Sequence, residues 1–570
     1  MIILGINGDR RGHNSAASLL IDGKLVASIE EERLSRVKGD RAYPHQAIAE
    51  VLAIAGVKPE QVDMLALANL SRWQQKPYLD TLFRYVAEAG KQEPLIREFY
   101  WKHQVERYVR VLRPRKLPAG VLAKKPRQTV EHHLAHAASA YYASPFGAER
   151  IGVISLDGAG DFSWGSVWIG ENGRLQEISH LPYLNSVGLL YSAITHYLGF
   201  ISGRHEGKVL GLAAFGNPQP LLGRLLAHTN TADWNRLFDP HLARIPLRPV
   251  SEMGQSVVKE LCGDLSREDV AAGLQAYTEQ VICTWVQQQV AALGVSKLAL
   301  AGGVFSNVKL NQRILALPGV DNLYVHPNMG DGGLSTGAAF EVYARLQQGL
   351  LPQLGEQVYL GTEINRDNAL QALQKLGVAY TEPADMAQAA GQLLAAGKVV
   401  ARAAGKMEYG PRALGNRTVM APCHDPSINQ WLNKKFARTE FMPFAPVVLQ
   451  EHAREYFPSW REEDIAARYM TLTYDASELA QRSIPAAVHV DNTARPQVIR
   501  REDNPDYYAV VKNYCDLTGV ASVINTSFNM HEEPIVRTAE EAIIAYQTAG
   551  LDALILGPFL CQAAPTTDPR

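Results

Sequence analysis

Glu131-His132-His133-Leu134-Ala135-His136-Ala137-Ala138-Ser139-Ala140-Tyr141-Tyr142 runs through Ser144-Pro145 toward Ile151-Gly152-Val153-Ile154-Ser155-Leu156-Asp157-Gly158-Ala159-Gly160-Asp161. The first stretch is rich in alanine and stopped by proline, which predicts a short helix. The second is an apolar, partly β-branched run ending in an acidic glycine turn, which predicts a buried strand that delivers a carboxylate. His132 and His136 are four residues apart and share one helix face, a spacing that lets two imidazoles reach one divalent ion. His133 points about 100° away on the same helix. The plainer alternative is a pair of structural histidines hydrogen-bonded within a core helix.

Two further glycine turns weigh toward chemistry. Lys297-Leu298-Ala299-Leu300-Ala301 reads as a strand leading into Gly302-Gly303-Val304-Phe305-Ser306-Asn307. Met329-Gly330-Asp331-Gly332-Gly333 precedes the small-residue helix start Ser335-Thr336-Gly337. Three such turns with two His and two Asp predict a nucleotide-and-metal site. Its ligands would be His132, His136, Asp157 and Asp331 for the metal, with Gly158, Gly302, Gly303 and Asn307 toward the nucleotide. Lys208, inside Arg204-His205-Glu206-Gly207-Lys208, is offered as a cation for that nucleotide; the plainer reading is a polar loop entering a helix. Alternation of strand, helix and glycine turn argues for an α/β domain.

Upstream, Ile2 to Asn7, Ala17 to Ile21 and Leu25 to Ile29 read as strands, with Asp22-Gly23 as a hairpin turn. His13 lies in the polar loop between the first two. The charged run Glu30 to Lys38 reads as a solvated face, with Lys38 a weak catalytic candidate. Pro44 to Ala55 reads as an amphipathic helix, and about 70–117 as a helical, aromatic-rich insertion suited to acceptor specificity. Leu350 to Glu356 reads as a linker, so the chain is divided into 1–355 and 356–570. The second part is predicted to hold helices at 365–376 and 385–396 and a strand at 399–402. Its dense motif is Gly405-Lys406-Met407-Glu408-Tyr409-Gly410-Pro411-Arg412-Ala413-Leu414-Gly415-Asn416-Arg417-Thr418. Arg438, Arg495 and Ile524-Asn525-Thr526-Ser527 follow. Arginines beside glycine turns supply bidentate donors and open backbone amides, as phosphate recognition requires. No sustained repeat and no low-complexity tract is present.

The 570 residues imply two to four domains, and 46% hydrophobic with 20% charged residues suits large cores. A formal charge of −2 gives no basic excess for nucleic acid. Five scattered cysteines without a CxxC read as reduced thiols of a cytoplasmic protein. The N-terminal apolar run is too short for a signal sequence, and no run is long enough to span a bilayer.

Gly12-His13-Asn14-Ser15-Ala16-Ala17, Glu30-Glu31-Glu32-Arg33, Glu131 to Ala137, Gly410 to Arg417 and Asn525 to Asn529 together resemble the NodU/CmcH O-carbamoyltransferases over nearly the whole chain. Met442-Pro443 stands where members often have Arg-Pro, and Asn14-Ser15 where they have Asp-Ala. The resemblance implies an α/β (α+β) chain with an actin/Hsp70/sugar-kinase-like, TsaD-like domain followed by a YrdC-like domain. It implies that carbamoyl phosphate and ATP, with Mg, form carbamoyl-adenylate in the second domain, through Lys406, Arg412, Asn416, Arg417, Arg438, Arg495, Asn525 and Ser527. The carbamoyl group would then pass in the first domain to a hydroxyl of a small, antibiotic-type natural product. His13 would lie nearest that hydroxyl, and His132, His136, Asp157 and Asp331 would hold the metal. Two imidazoles and two carboxylates suit Fe(II), the first choice, as well as Mn(II), Zn(II) and Co(II). Neither a nucleic acid nor a membrane is expected as a partner, and oligomerisation stays open. Two rivals are a tRNA threonylcarbamoyladenosine-type modification enzyme, which the absence of a basic arm disfavours, and a non-catalytic ATP-binding regulator, which would not need the second domain's cations.

Overall fold

Asp22 and Gly23 both take positive φ (49° and 85°), the conformation that lets a two-residue turn match the twist of its flanking strands. They join β2 (Ala16–Ile21) to β3 (Lys24–Glu30), and β1 (Ile2–Asn7) pairs antiparallel with β2. β4 (Met64–Ala68) and β5 (Arg127–Val130) add parallel strands, giving the order β3-β2-β1-β4-β5. This computed structural model describes residues 1–8, 14–69, 117–247, 249–347, 358–437 and 441–563. The inferred insertion, apart from Leu117, and the inferred linker lie outside the described residues, as do His13 and Arg438.

A second sheet repeats the plan. β6 (Ile151–Gly160), β7 (Ser163–Glu171) and β8 (Arg174–Pro182) are antiparallel neighbours; β9 (Lys297–Ala301) is parallel to β6, and β10 (Asn322–Val325) to β9. Its order, β10-β9-β6-β7-β8, is the first sheet's order with each strand replaced by its counterpart. The sequence shows no repeat because this topology asks only for apolar strands and turns, which many residues satisfy. Helix His132–Ala143 and helix Leu334–Leu346 pack so closely that a Cβ on Gly337 would stand 1.8 Å from the Ala135 carbonyl oxygen. Gly5 of β1 meets the Ser335 carbonyl oxygen in the same way, at 2.0 Å.

The chain divides into two compact units, Met1–Glu30 with Arg41–Leu354, and Glu31–Asp40 with Gly355–Arg570. The run read as a solvated face is different in the structure: Glu30, Glu31, Glu32 and Arg33 are all buried. Arg33 sits 3.1 Å from Glu32 and donates to the Gly410 carbonyl, and Gly39 N–H donates to Glu32. Glu32 and Arg33 are thus paired inside the unit, and Glu30 accepts from the Asn14 and Asn328 side-chain amides.

The second unit is built on a seven-stranded mixed sheet. Its strands are β12 (Val400–Ala403), β14 (Arg417–Pro422), β15 (Ala445–Leu449), β18 (Gln497–Ile499), β19 (Ser522–Ser527), β20 (Ala553–Leu556) and β21 (Phe559–Gln562). The order is β18-β15-β19-β14-β12-β20-β21. β11 (Tyr359–Ile364) pairs with β13 (Gly405–Glu408), and β16 (Tyr474–Asp475) with β17 (Thr493–Ala494). Helices Arg366–Leu376 and Met386–Ala395 precede β12. Among the described residues no helix is long and apolar enough to cross a membrane, and all five cysteines are free thiols.

Candidate active site

Glu131 caps the helix His132–Ala143, its carboxylate accepting the Leu134 N–H at 2.7 Å. This cap fixes where the helix starts, and hence where His132 and His136 point. The two-residue turn Asp161-Phe162 closes β6 onto β7 with positive φ at both residues (40° and 76°), and Asp161 accepts the His132 backbone N–H at 3.0 Å. Just before it, Gly160 leaves room for the His132 ring: a Cβ there would lie 2.1 Å from ring carbons.

His132, His136, Asp157 and Asp331 converge, their four donor atoms all within 4.8 Å of one another. His132 Nε2 is 3.2 Å from Asp157 Oδ2 and 4.0 Å from Asp331 Oδ1; His136 Nε2 is 3.5 and 3.6 Å from the same oxygens. Donors about 2.1 Å from a common ion stand roughly 3–3.5 Å apart, so modest inward movement suffices. His136 is fully buried and both its ring nitrogens lack an ordinary hydrogen bond. A buried imidazole aimed at two carboxylates and otherwise unsatisfied is what a cation would complete. The donor set thus fits a divalent metal. His133 is apart from it, bonded through Nδ1 to Ser155 Oγ at 2.6 Å.

Charge follows the geometry. Burial opposes a charge on His132, but the Asp157 hydrogen bond and the Asp331, Asp157 and Asp161 carboxylates outweigh it, pushing the imidazole up to about 9. Burial likewise opposes a charge on Asp157, and the facing His132 and His136 overcome it, holding Asp157 well below the usual carboxylate range. Burial and the nearby Asp161 push Glu131 up to about 7.

The carboxyl ends of the parallel strands build this site, the usual place for a ligand in an open α/β sheet. β1 ends at Asn7, β4 is followed by Asn69, β5 by Glu131 and His132, and β9 by Gly302 and Gly303. Gly303 N–H donates to Asp157 Oδ1 at 3.2 Å, and Gly302 (φ 108°) lies so close to Leu156 that a Cβ would meet its carbonyl oxygen at 2.0 Å. Gly158 faces the helix Val187–Tyr197, its carbonyl accepting from Ser186 Oγ. Asn307 caps the helix Val308–Leu315 and exchanges hydrogen bonds with Gln275. Lys208 is buried in the helix Glu206–Leu212. Lys38, grouped with the second unit, pairs with Glu32 at 3.4 Å.

In the second unit the strand registers bring Asn416, Arg417, Arg495, Asn525 and Ser527 to one sheet end, where β12 and β19 finish and β14, β15 and β18 begin. Glu408, which the sequence reading passed over, organises the turn there. Its Oε1 accepts the N–H groups of Leu414, Asn416 and Arg417 at 2.7–2.9 Å. Arg402 donates to the Gly415 carbonyl and to Asn416 Oδ1. Arg417 departs from the expected phosphate contact. It is fully buried, and its two terminal nitrogens donate to the carbonyls of Thr362, Ala404, Gly405, Asn416 and Arg537. Asn416 and Asn525 are also committed: Asn416 to Lys406, Arg402 and Asn504, Asn525 to Ala413, Gln497 and Thr418. Lys406 is exposed, and Arg412, Arg495 and Ser527 are half-buried, with Ser527 Oγ donating to Asn529 Oδ1. A signal for the framework role was available: Arg417 opens an otherwise apolar strand, Thr418-Val419-Met420-Ala421, where a side chain is enclosed.

Relatives share this chain over most of its length. An uncharacterized protein of Synechocystis is 31% identical over 100% of this chain and 97% of its own. Nodulation protein NolNO of Sinorhizobium fredii is 30% identical, covering 96% of this chain and 78% of that one. Nodulation protein NolO of Bradyrhizobium diazoefficiens is 31% identical over 77% and 80%. Among solved structures, HypF of T. kodakarensis is similar at 14% identity and TM-score 0.32, covering 61% of this chain and 48% of that one, too slight a likeness to carry an argument. The Carbamoyltransferase N-terminus family matches residues 2–340 and the Carbamoyltransferase C-terminus family residues 391–563. With both family halves matched in order along one chain, this protein belongs to the carbamoyltransferase family and is a carbamoyl-transferring enzyme.

Proposed function

We propose that the chain is an ATP-dependent O-carbamoyltransferase working in two half-reactions, with a small hydroxylated natural product as acceptor. In the second unit water cleaves carbamoyl phosphate to carbamate and phosphate, and the carbamate oxygen attacks the α-phosphate of ATP to give carbamoyl-adenylate with release of pyrophosphate. The first unit then passes the carbamoyl group to the hydroxyl, and AMP leaves. The observation that carries this reading is the contrast between the sites. The first unit gathers two imidazoles and two carboxylates, whereas cationic residues and glycine turns gather at one sheet end of the second.

The duplicated strand order of the first unit supports the actin/Hsp70/sugar-kinase-like assignment, and the mixed seven-stranded sheet is the body of the proposed YrdC-like domain. A metal held by His132, His136, Asp157 and Asp331 would polarise the carbamoyl carbonyl and stabilise the negative charge that develops on its oxygen. Gly158, Gly302, Gly303 and Lys208 are assigned to the nucleotide part of the adenylate, open backbone and a cation suiting its phosphate. Lys406, Arg412, Arg495 and Ser527 are assigned to the phosphates of ATP and carbamoyl phosphate; their exposed or half-buried positions leave them able to meet a ligand. Arg417, Asn416 and Asn525 hold that turn in shape.

His13 is assigned as the base for the acceptor hydroxyl, histidine being largely neutral at the working pH. The test uses carbamoyl phosphate labelled at carbon, ATP and a panel of hydroxylated small molecules, with tRNA as a further acceptor. Label should appear on a small hydroxyl compound and depend on ATP; label on tRNA alone would make the chain a tRNA-modifying enzyme instead. In that assay His13→Asn should keep carbamoyl-phosphate-dependent pyrophosphate exchange and slow transfer by roughly 10²–10⁴-fold. A variant that also loses exchange would remove His13 from the base role.

A further inference from the structure

We infer that Asn7 and Asn69 form a buried amide relay that positions the imidazole of His132 and ties it to the turn carrying Asp331. The inference rests on the metal-site reading above. Asn7, Asn69 and His132 are each at most 3% exposed, so their polar atoms are shielded from bulk water. The direction of every link is forced from one end. The Asp331 backbone carbonyl can only accept, so the Asn7 atom 2.8 Å from it is the Nδ2 donor. That Nδ2 also reaches the Asn14 carbonyl, at 3.3 Å. Asn7 therefore turns its Oδ1 to the other side, where it accepts from Asn69 Nδ2 at 3.0 Å. Asn69 in turn presents its Oδ1 to His132 Nδ1 at 2.6 Å, and that nitrogen must be the donor. With the proton fixed on Nδ1, Nε2 of the neutral ring carries the lone pair, and Nε2 is the atom that faces Asp157 and Asp331.

The relay thus selects the ligating tautomer of His132 and holds its ring plane. It also couples that ring to the backbone of another proposed ligand. Asn69 has φ 75°, a left-handed conformation that asparagine tolerates better than most residues, and its amide oxygen meets the ring at Nδ1. Asn7 and Asn69 close the apolar runs of the neighbouring parallel strands β1 and β4, so the sheet itself sets their spacing. Partners of this kind orient metal-bound histidines and typically contribute 10–100-fold in metal affinity.

The experiment titrates Co(II) into the metal-stripped full chain and follows both affinity and the visible absorption of the bound ion. Asn69→Gly keeps the positive φ and removes the acceptor. It should weaken Co(II) binding about 10–100-fold and alter the spectrum, while carbamoyl-phosphate-dependent pyrophosphate exchange stays at the parent rate. Asn69→Asp restores an acceptor for Nδ1 and should recover most of the affinity. Parent-like Co(II) affinity and spectrum in Asn69→Gly, beside a His136→Ala control that no longer binds, would overturn the relay and leave the metal reading standing. If His136→Ala itself binds Co(II) like the parent, the metal reading fails and the relay with it. Should Asn69→Gly not fold, Asn7→Ser cuts the middle link without touching His132: weakened binding supports the relay, and parent-like binding overturns it.

Discussion

His136→Ala should abolish acceptor carbamoylation and leave carbamoyl-phosphate-dependent exchange of pyrophosphate into ATP at the parent rate; this is the largest effect expected of any single change to the first unit. His136 is fully buried, and its Nε2 faces both Asp157 and Asp331. Removing it takes one donor from a set of four and leaves the two carboxylates without an imidazole that faces both. The seven-stranded sheet, to which adenylate formation is assigned, belongs to a different compact unit. Asp331→Ala should act alike. Loss of both half-reactions in a folded His136→Ala protein would show that the chemistry is not divided as proposed. Metal content and pyrophosphate exchange measured on the same preparation decide between these outcomes.

Arg417→Ala should fail in a different manner, by unfolding the second unit. The guanidinium binds five backbone carbonyls in a fully buried place. Deleting it takes a donor from each of those acceptors and opens a cavity, together worth at least about 3 kcal/mol. The desolvation that pushes Arg417 down to about 10 shows how completely it is enclosed, with Glu408 opposing the shift. Ser527→Ala and Arg412→Ala, by contrast, alter partly exposed groups and should lose pyrophosphate exchange while melting near the parent temperature. Thermal unfolding of the three variants separates the cases. An Arg417→Ala protein that melts like the parent but cannot form adenylate would return Arg417 to the ligand role.

The contrast between those arginines marks where sequence reading stops. Spacing made the His132 and His136 geometry legible, since a helix places residues four apart on one face whatever surrounds it. Turn chemistry likewise made Asp22-Gly23 legible. The role of Arg417 was not, because glycines and arginines at a turn look the same whether the guanidinium points to a ligand or inward to carbonyls. The run Glu30 to Arg33 misled for a related reason. A charge pattern carries no record of whether its partners are water or each other, and here Glu32 and Arg33 face one another under cover. Asn7 and Asn69 were hidden because their meaning lies in a contact across 62 positions, although both close an apolar strand with the same amide. The duplicated sheet order was invisible for want of any repeated residue pattern.

The most direct test of the central claim supplies carbamoyl-adenylate and a hydroxylated acceptor to the metal-stripped protein in a single turnover. The account predicts transfer near the uncatalysed background, restored when Fe(II) or Co(II) is added back to the parent chain and not restored in His136→Ala. Equal transfer by the stripped and metal-loaded parent would contradict it.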